Sequence, residues 1–173
     1  SSLFASGRAI HSPPWTAVLF RADLFRRVGL LEESFESYLE DVDFGLRCAA
    51  LEIEGEYVPA AVARHHGSAS LGVWHPETVR RIARNQVLLL ARHYPSRVLW
   101  RCWWAILVAQ LSWGLVAMRH AAFIPWIRGK IQGISGFSKA RRKSVSMNPR
   151  VLDRLHEDER LIRALQQHSG RDP

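Results

Sequence analysis

The sequence predicts an α/β fold that is followed by C-terminal α-helices. A short apolar run at residues 17–20 is typical of a buried strand, and one or two short strands, broken at Pro59, are predicted at 56–65. They alternate with segments at 40–51 and 76–93, where apolar residues recur every three or four positions, as they do along one face of a helix. A long apolar segment then occupies residues 98–118. This order predicts a mixed domain with a helical extension.

Composition places the chain among ordinary globular proteins. Its 173 residues are about one domain's worth, at roughly 100–200 residues per domain. Hydrophobic residues make up 47% and charged residues 23%, which excludes a disordered chain, a collagen-like chain and an all-membrane bundle. Cys48 and Cys102 are too few for a disulfide framework or a four-cysteine zinc site. A reducing, cytosol-facing compartment fits them, and the start at Ser1 leads us to expect a piece of a longer protein.

The net charge of +8 is carried entirely by the second half of the chain. Residues 1–100 hold 11 Lys/Arg and 11 Asp/Glu, whereas residues 101–173 hold 13 Lys/Arg and 5 Asp/Glu. Such asymmetry indicates an anionic partner for the second half, with nucleic acid and anionic lipid as the two candidates.

Glycine and proline set the expected bounds of the elements. Residues 1–14 are polar and contain a Pro-Pro pair, so we expect a loop there. A short helix at 23–28 should end at Gly29, where a C-terminal glycine belongs. The helix at 76–93 has a proline in its first turn and is ended by Pro95. A shorter apolar and basic segment and a last polar helix are expected at 120–134 and 157–168.

The densest chemistry lies in the stretch Glu-Asp-Val-Asp-Phe-Gly-Leu-Arg at 40–47. Three carboxylates fall at a helix start, where the positive end of the helix dipole stabilises anions. Glu40, Asp43 and Arg47 share one helical face and can pair. Asp41 lies about 100° round the helix, free to point into a cleft and accept a proton from a hydroxyl nucleophile. The alternative is an acidic first turn with one intrahelical salt bridge.

A second candidate site is the histidine at the end of the second strand-like run. On a strand, His65 shares a face with Ala61 and Ala63, and such small neighbours leave room for a ligand. A neutral imidazole there can bind a divalent metal. The alternative is a hydrogen-bonded structural histidine.

Together the two features resemble the family 2 glycosyltransferases, especially the rhamnosyltransferase-like branch. The run at 28–44 is similar to that family's pattern V-G-x-F-D-E-x-F-F-x-Y-x-E-D-V-D-L, which an arginine follows three residues later, here Arg47. Further members of the pattern recur downstream in family order: Val58-Pro59, His65 and Arg84-Asn85. The match covers roughly residues 15–95, and it departs from the pattern at Leu31, Glu32 and Glu36.

The resemblance implies a fold, a reaction and a set of roles. The fold is the acceptor-side half of a GT-A domain, and the reaction transfers a sugar, with inversion, from a nucleotide-sugar donor to an acceptor hydroxyl. Asp41 matches the general base, and Glu40 and Asp43 match acidic companions that orient the acceptor or the base. His65 matches a histidine that in some members helps to bind a divalent metal, Mg²⁺ or Mn²⁺. The Arg84-Asn85 pair has no assigned role.

The donor-binding half of that family is missing from the sequence. In the family, a βαβα unit that ends in Asp-x-Asp comes first and holds the metal and the diphosphate. Nothing before Trp15 supplies such a unit, and the Asp-x-Asp at 41–43 belongs to the later motif. We therefore expect the C-terminal part of a catalytic domain at 1–97 and a basic, aromatic-rich helical extension at 98–173. By itself the chain is expected to be inactive.

The extension is expected to contact a membrane. The segment 98–118 is long enough to span a bilayer at about 20 residues. Gln110, Ser112 and the scattered tryptophans equally fit a helix in the membrane plane or one packed on the catalytic domain. Eight Lys/Arg and no Asp/Glu lie in 119–150, which fits an anionic cytoplasmic leaflet. Nucleic acid is the less favoured partner, because the basic run at 139–143 contains no aromatic residue.

The sequence thus predicts a glycosyltransferase fragment that lies peripherally on the inner face of the cell membrane. Its expected partners are a nucleotide-sugar and a carbohydrate or lipid-linked acceptor in cell-envelope polysaccharide or glycolipid synthesis. The competing prediction is a non-catalytic basic module that binds membranes or serves as a scaffold.

Overall fold

The protein is mostly helical with one small sheet in the computed structural model of the chain, which describes residues 5–10, 15–64, 71–145 and 151. A short 3-10 turn at Glu33–Phe35 precedes the second helix. Helices and a sheet together agree with a mixed α/β fold in the broad sense. The described helices are α1 (Ala22–Val28), α2 (Glu40–Ala50), α3 (Pro76–His93), α4 (Ser96–Arg119) and α5 (Phe123–Arg142).

The sheet consists of two antiparallel strands, β1 (Arg8–Ile10) and β2 (Gly55–Tyr57). Arg8 pairs with Tyr57, and Ile10 pairs with Gly55. The predicted loop at 1–14 is therefore wrong for residues 8–10. A strand of three residues is too short to show the apolar alternation by which a strand is recognised in a sequence.

The apolar run at 17–20 is not a strand, contrary to the prediction. The ring of Phe20 packs among the rings of Trp15, Phe25 and Phe44, with centroid distances of 4.7, 5.6 and 5.5 Å. Leu19 beside it is 97% exposed. In the described part of the chain no strand lies alongside this run, so its backbone has no ladder to join. The packing of the Phe20 ring holds the run in place instead.

In the second predicted strand region the structure has β2, and the described residues after it, 58–64, are irregular, which agrees with the predicted break at Pro59. Pro59 has no N–H to add to a ladder, and a turn hydrogen bond of 3.0 Å between Ala61 and Val58 leads the chain away from β2. The predicted strand face is therefore wrong for Ala61 and Ala63.

The helices follow the predicted spacing closely. α1 ends at Gly29, whose φ of 87° costs little only for glycine, and α3 has the predicted bounds with Pro76 in its first turn. The last segment is longer than expected, because α5 continues to Arg142 and the basic run at 139–143 forms its end. The predicted helix at 157–168 lies outside the described residues.

Helices α3 and α5 form the tightest pair and run in the same direction. Gly129 of α5 meets Ala83, and Gly136 meets Leu88 one to two turns further along both helices. A Cβ on Gly129 would lie 2.7 Å from the Cβ of Ala83, so only glycine permits this approach of the two backbones. We call this contact the glycine seam. The largest part of the core lies beside it: Val79, Ala83, Leu88, Ala91, Trp126 and Ala140.

Helix α4 packs mainly through its C-terminal half. A Cβ on Gly114 would lie 2.8 Å from the ring of Trp126, and Ala117 is buried nearby. Residues 100–105, near the start of the helix, are all exposed. By length and composition alone α4 is able to cross a membrane, with a mean hydropathy of 1.2 over a window that is only 11% buried.

Candidate active site

The acidic residues of α2 follow a loop with an unusual backbone. Glu36, Tyr38 and Leu39 have φ angles of 60°, 71° and 67°, a region that residues other than glycine rarely adopt. Such conformations cost of order 1–3 kcal/mol each and persist only where the surrounding structure holds them. The strained residues lie directly before Glu40 and Asp41.

Helix α3 supplies the side chains that hold this loop. Asn85 is fully buried. Its Nδ2 donates to three carbonyl oxygens, at 2.8, 3.0 and 2.7 Å, which belong to Phe35, Ser37 and Tyr38. Arg84 Nη2 also donates to the carbonyl oxygen of Phe35, at 2.9 Å. The Arg84-Asn85 pair therefore satisfies backbone groups that no helix or strand pairs.

Two more contacts attach the same loop to α3. The hydroxyl groups of Tyr38 and Thr78 lie 3.1 Å apart. Glu36 accepts a hydrogen bond from Arg84, and this bond holds the pKa of the Glu36 carboxyl below its ordinary value. The loop is thus fastened at its backbone and at its side chains.

Glu40 is the first residue of α2 and lies in an unusual environment. Its side chain is half-buried, and in the described part of the chain Oε2 has no hydrogen-bond partner. Burial raises the pKa of this carboxyl, and the nearby charge of Asp41 raises it further. A carboxyl group with a raised pKa exchanges its proton closer to neutral pH, as general acid–base catalysis requires.

Asp41 lies about 100° round the helix from Glu40. Its carboxylate is partly exposed, and Oδ1 accepts the backbone N–H of Val42 at 2.8 Å. This bond fixes the Asp41 carboxylate at a defined position beside the start of α2. The helix start therefore presents two partly buried carboxyl groups that differ in their hydrogen bonds.

Asp43 is fully buried and contacts three basic side chains. Arg47 Nε donates to it at 3.0 Å, Arg92 Nε donates at 2.7 Å, and His93 Nε2 lies 2.8 Å from Oδ1. Burial alone would raise the pKa of Asp43, but the bond to His93 and the charges of the arginines hold it below the ordinary value. The predicted pairing of Asp43 with Arg47 is confirmed, and Glu40 lies outside that ion pair in the described contacts.

The buried cluster extends to α5 through Glu32. Glu32 accepts Arg92 Nη1 at 3.1 Å and Lys143 Nζ at 3.0 Å. Arg47 also donates to the backbone carbonyl oxygens of Val28, at the end of α1, and of Leu30, at 2.8 and 2.9 Å. We call the ion-paired set Glu32, Asp43, Arg47, Arg92, His93 and Lys143 the Asp43 network. It joins α2 to the ends of α3 and α5.

Sequence reasoning missed Arg92 and His93 as partners of Asp43. Arg92 and His93 lie in the last turn of α3, where basic residues are common because they interact favourably with the negative end of the helix dipole. Their position therefore does not indicate a partner elsewhere in the chain. Arg92 lies 49 residues after Asp43, and no spacing rule connects side chains so far apart. The Arg84-Asn85 pair was found through the family pattern, but only its contacts indicate what it holds.

The predicted metal ligand His65 lies outside the described residues, so its role stays a prediction. In the ranges that the structure describes, no three His, Cys, Asp or Glu side chains are grouped to hold a metal ion. Asp43 already contacts three basic groups, and Glu40 and Asp41 make only two further carboxyl groups. These side chains do not by themselves fit a divalent metal.

The chain was compared with models of protein families, with curated proteins and with solved structures, and no match was found. The family resemblance therefore rests on the motif residues themselves. A function has to be argued from the chemistry of the helix start and its supports.

Proposed function

We propose that the chain is the acceptor-side part of an inverting glycosyltransferase, which transfers a sugar from a nucleotide-sugar to an acceptor hydroxyl. The observation that carries this proposal is the pair of adjacent, partly buried carboxyl groups of Glu40 and Asp41 at the start of α2. Both residues follow a strained loop that α3 holds in place. Backbone strain and carboxyl groups with raised pKa values cluster at active sites, which supports the proposal.

In the proposed reaction, Asp41 accepts the proton of the acceptor hydroxyl. The hydroxyl oxygen forms a bond to the anomeric carbon while the bond from that carbon to the nucleoside diphosphate breaks. The diphosphate leaves with the bonding electron pair, and the configuration of the sugar is inverted. Glu40 orients the acceptor beside Asp41, and the buried Asp43 is a positioning residue that fixes α2.

The donor site is expected in the N-terminal half of the family fold. A divalent metal, Mg²⁺ or Mn²⁺, would stabilise the diphosphate leaving group there, as the resemblance implies. The described residues of this chain do not make up such a site. Their proposed part is to bind a carbohydrate or lipid-linked acceptor and to take its proton.

The test is a kinetic comparison in the full-length parent protein at saturating donor. Asp41→Asn should lower kcat by about 10²–10⁴, the usual contribution of a general base, and should leave donor affinity unchanged. Asp23→Asn alters a surface carboxylate of α1 in the same way and should leave kcat unchanged. Near-normal turnover of D41N would remove Asp41 as the base.

A second candidate function is a non-catalytic module that binds membranes or serves as a scaffold. The exposure of the apolar helix α4 favours it. The gene sequence upstream of Ser1 discriminates the two, because a βαβ region that carries Asp-x-Asp would support the enzyme. A parent protein that binds vesicles but transfers no sugar would support the module.

A further inference from the structure

Helix α4 exposes large apolar side chains at the surface of the described structure. Tryptophans lie near its start and leucines follow: Trp100, Trp103, Trp104, Leu111 and Leu115, which are 51 to 79% exposed. The helix has 24 residues and contains no Asp or Glu. A helix that is apolar on most sides is ordinarily enclosed by protein or by lipid.

Helix α5 carries a second exposed apolar surface. Ile131 lies two residues, or about 160° round the helix, from both Gly129 and Gly133. The glycines face α3, so Ile131 points away from it. Its neighbours at three- and four-residue spacing form an isoleucine stripe with it: Ile124, Ile127, Ile131 and Ile134, 36 to 66% exposed.

The isoleucine stripe and α4 adjoin each other. Lys130 lies three residues after Ile127 and four residues before Ile134, so it is next to the isoleucine stripe on the surface of α5. Its Nζ donates to Gln110 of α4. Helix α4 therefore runs along one edge of the stripe, and the two exposed surfaces make a single apolar face.

Positive charge borders the other edge of this face. Arg128 lies four residues after Ile124 and three before Ile131, on the side of the stripe away from α4, and it is exposed. Lys139 lies three turns beyond Arg128, Arg142 lies three turns beyond Ile131, and both are exposed on this same side. No Asp or Glu occurs in residues 119–150, so nothing acidic in this stretch offsets the charge.

We propose that α4 and the isoleucine stripe of α5 form one surface that lies in the plane of an anionic bilayer. The inference goes beyond the transfer reaction and does not depend on it. Lipid is the occupant because an apolar face with basic side chains along one edge is complementary to acyl chains beneath anionic headgroups. The tryptophans near the start of α4 also suit the headgroup region.

The same packing favours an in-plane position over a membrane span. Helix α5 supplies part of the apolar face, yet its opposite side is locked to α3 by the glycine seam. α3 in turn carries Arg80, Arg81 and Arg84, whose ion pairs keep it out of the hydrocarbon. The face therefore enters the bilayer only to the depth of its side chains, about 5–10 Å.

Co-sedimentation of the 173-residue chain with vesicles tests the proposal. We expect binding to mixed phosphatidylcholine–phosphatidylglycerol vesicles, weak binding to phosphatidylcholine alone, and release from the mixed vesicles at high salt. The readout requires no sugar transfer, so its failure is distinguishable from failure of the proposed enzyme function.

A triple variant tests the isoleucine stripe itself. Ile124→Gln, Ile131→Gln and Ile134→Gln change side chains that are 62 to 66% exposed, so the fold should be retained. Binding should weaken by about 10- to 100-fold, because three apolar anchors are lost. The matched control replaces three exposed aliphatic residues elsewhere with Gln, and it should bind normally: Leu19, Leu30 and Val62.

A charge variant tests the basic border. Replacing Arg128, Lys139 and Arg142 with Gln should abolish the preference for anionic vesicles. The matched control replaces three exposed arginines elsewhere with Gln and should keep the preference: Arg26, Arg27 and Arg64. Absence of vesicle binding would overturn the proposal, as would full binding by the isoleucine variant. Salt-resistant binding to neutral vesicles that the isoleucine variant retains would likewise overturn it, and would assign a membrane span to α4.

Discussion

Glu40 and Asp43 lie in the first turn of the same helix, yet the pKa values of their carboxyl groups are shifted in opposite directions. Burial raises the pKa of Glu40, which has a like charge beside it in Asp41. The pKa of Asp43 is lowered despite deeper burial, because basic groups from α2 and α3 surround it. The first turn of α2 thus contains one carboxyl group without a basic partner in the described contacts and one that basic groups enclose.

We expect Asp43→Asn to lower the free energy of unfolding by about 3–5 kcal/mol, because buried Arg47 and Arg92 lose their compensating charge. Asp23→Asn breaks an exposed pair with Arg21 and should cost less than about 1 kcal/mol. Urea unfolding followed by near-ultraviolet circular dichroism measures both changes. Equal and small costs would mean that the Asp43 network does not stabilise the fold.

The stability contributed by Asp43 should be lost in acid. Its folded-state pKa lies below the ordinary value of 3.8, so above that pH the carboxylate is charged in both states and the stabilisation is fully present. As the pH falls below about 3.8, the unfolded chain binds the proton first, and the stabilisation declines until the pH reaches the folded-state pKa. Glu32, whose pKa is also lowered, adds a loss of the same sign. The basic groups that face Asp43 are Arg47, Arg92 and His93.

Urea unfolding at a series of acid pH values measures this dependence. The wild-type free energy of unfolding should fall more steeply than that of D43N, which lacks the titrating group. Parallel curves for the two proteins would contradict the assignment.

At the scale of elements, α3 supports two neighbours from two of its sides. The glycine seam holds α5 against one side. On another side, Thr78, Asn85 and Arg92 follow one another every seven residues, which places them on one line along the helix. Thr78 contacts the side chain of Tyr38 in the loop. Asn85 binds the backbone of the loop, and Arg92 binds Asp43. This buried polar line sets where α2 begins.

We expect Asn85→Asp to open the loop before α2. The substitution keeps the shape of the side chain but removes the Nδ2 donor from three carbonyl oxygens, and it should lower the free energy of unfolding by about 1–3 kcal/mol. Amide hydrogen exchange at residues 36–41 should accelerate. Gln132→Glu makes the same chemical change at an exposed side chain and should leave exchange unaltered. Unchanged exchange in N85D would show that Asn85 does not hold the loop.

At the scale of the whole molecule, the two predicted regions share a core. The predicted boundary between residues 97 and 98 falls in the first turn of α4, and α5 covers the apolar side of α3. Lys143 also reaches back to Glu32, 111 residues earlier. Residues 98–173 therefore supply part of the hydrophobic core against which residues 1–97 pack.

We expect a chain that ends at Arg97 to lack fixed tertiary structure, because Ala83, Leu88 and Ala91 lose their cover. A chain that ends at Val151 keeps α5 and is the matched control. Near-ultraviolet circular dichroism should be weak and dye binding strong only for the shorter chain. A rigid fold of residues 1–97 alone would show that the boundary separates independent domains.

The sequence by itself determined the local features of this protein. The end of α1 at Gly29, the bounds of α3 and the pairing of Asp43 with Arg47 each depend on residues within one or two turns, so spacing and capping rules predict them. The tertiary structure alone decided which carboxylate is enclosed by basic groups, what Asn85 binds, and that the run at 17–20 forms no strand. The isoleucines of α5 are exposed for the same kind of reason, because its glycines turn the opposite side to α3. These outcomes depend on partners tens of residues away, and only the folded chain brings such partners within the few ångströms over which side chains interact.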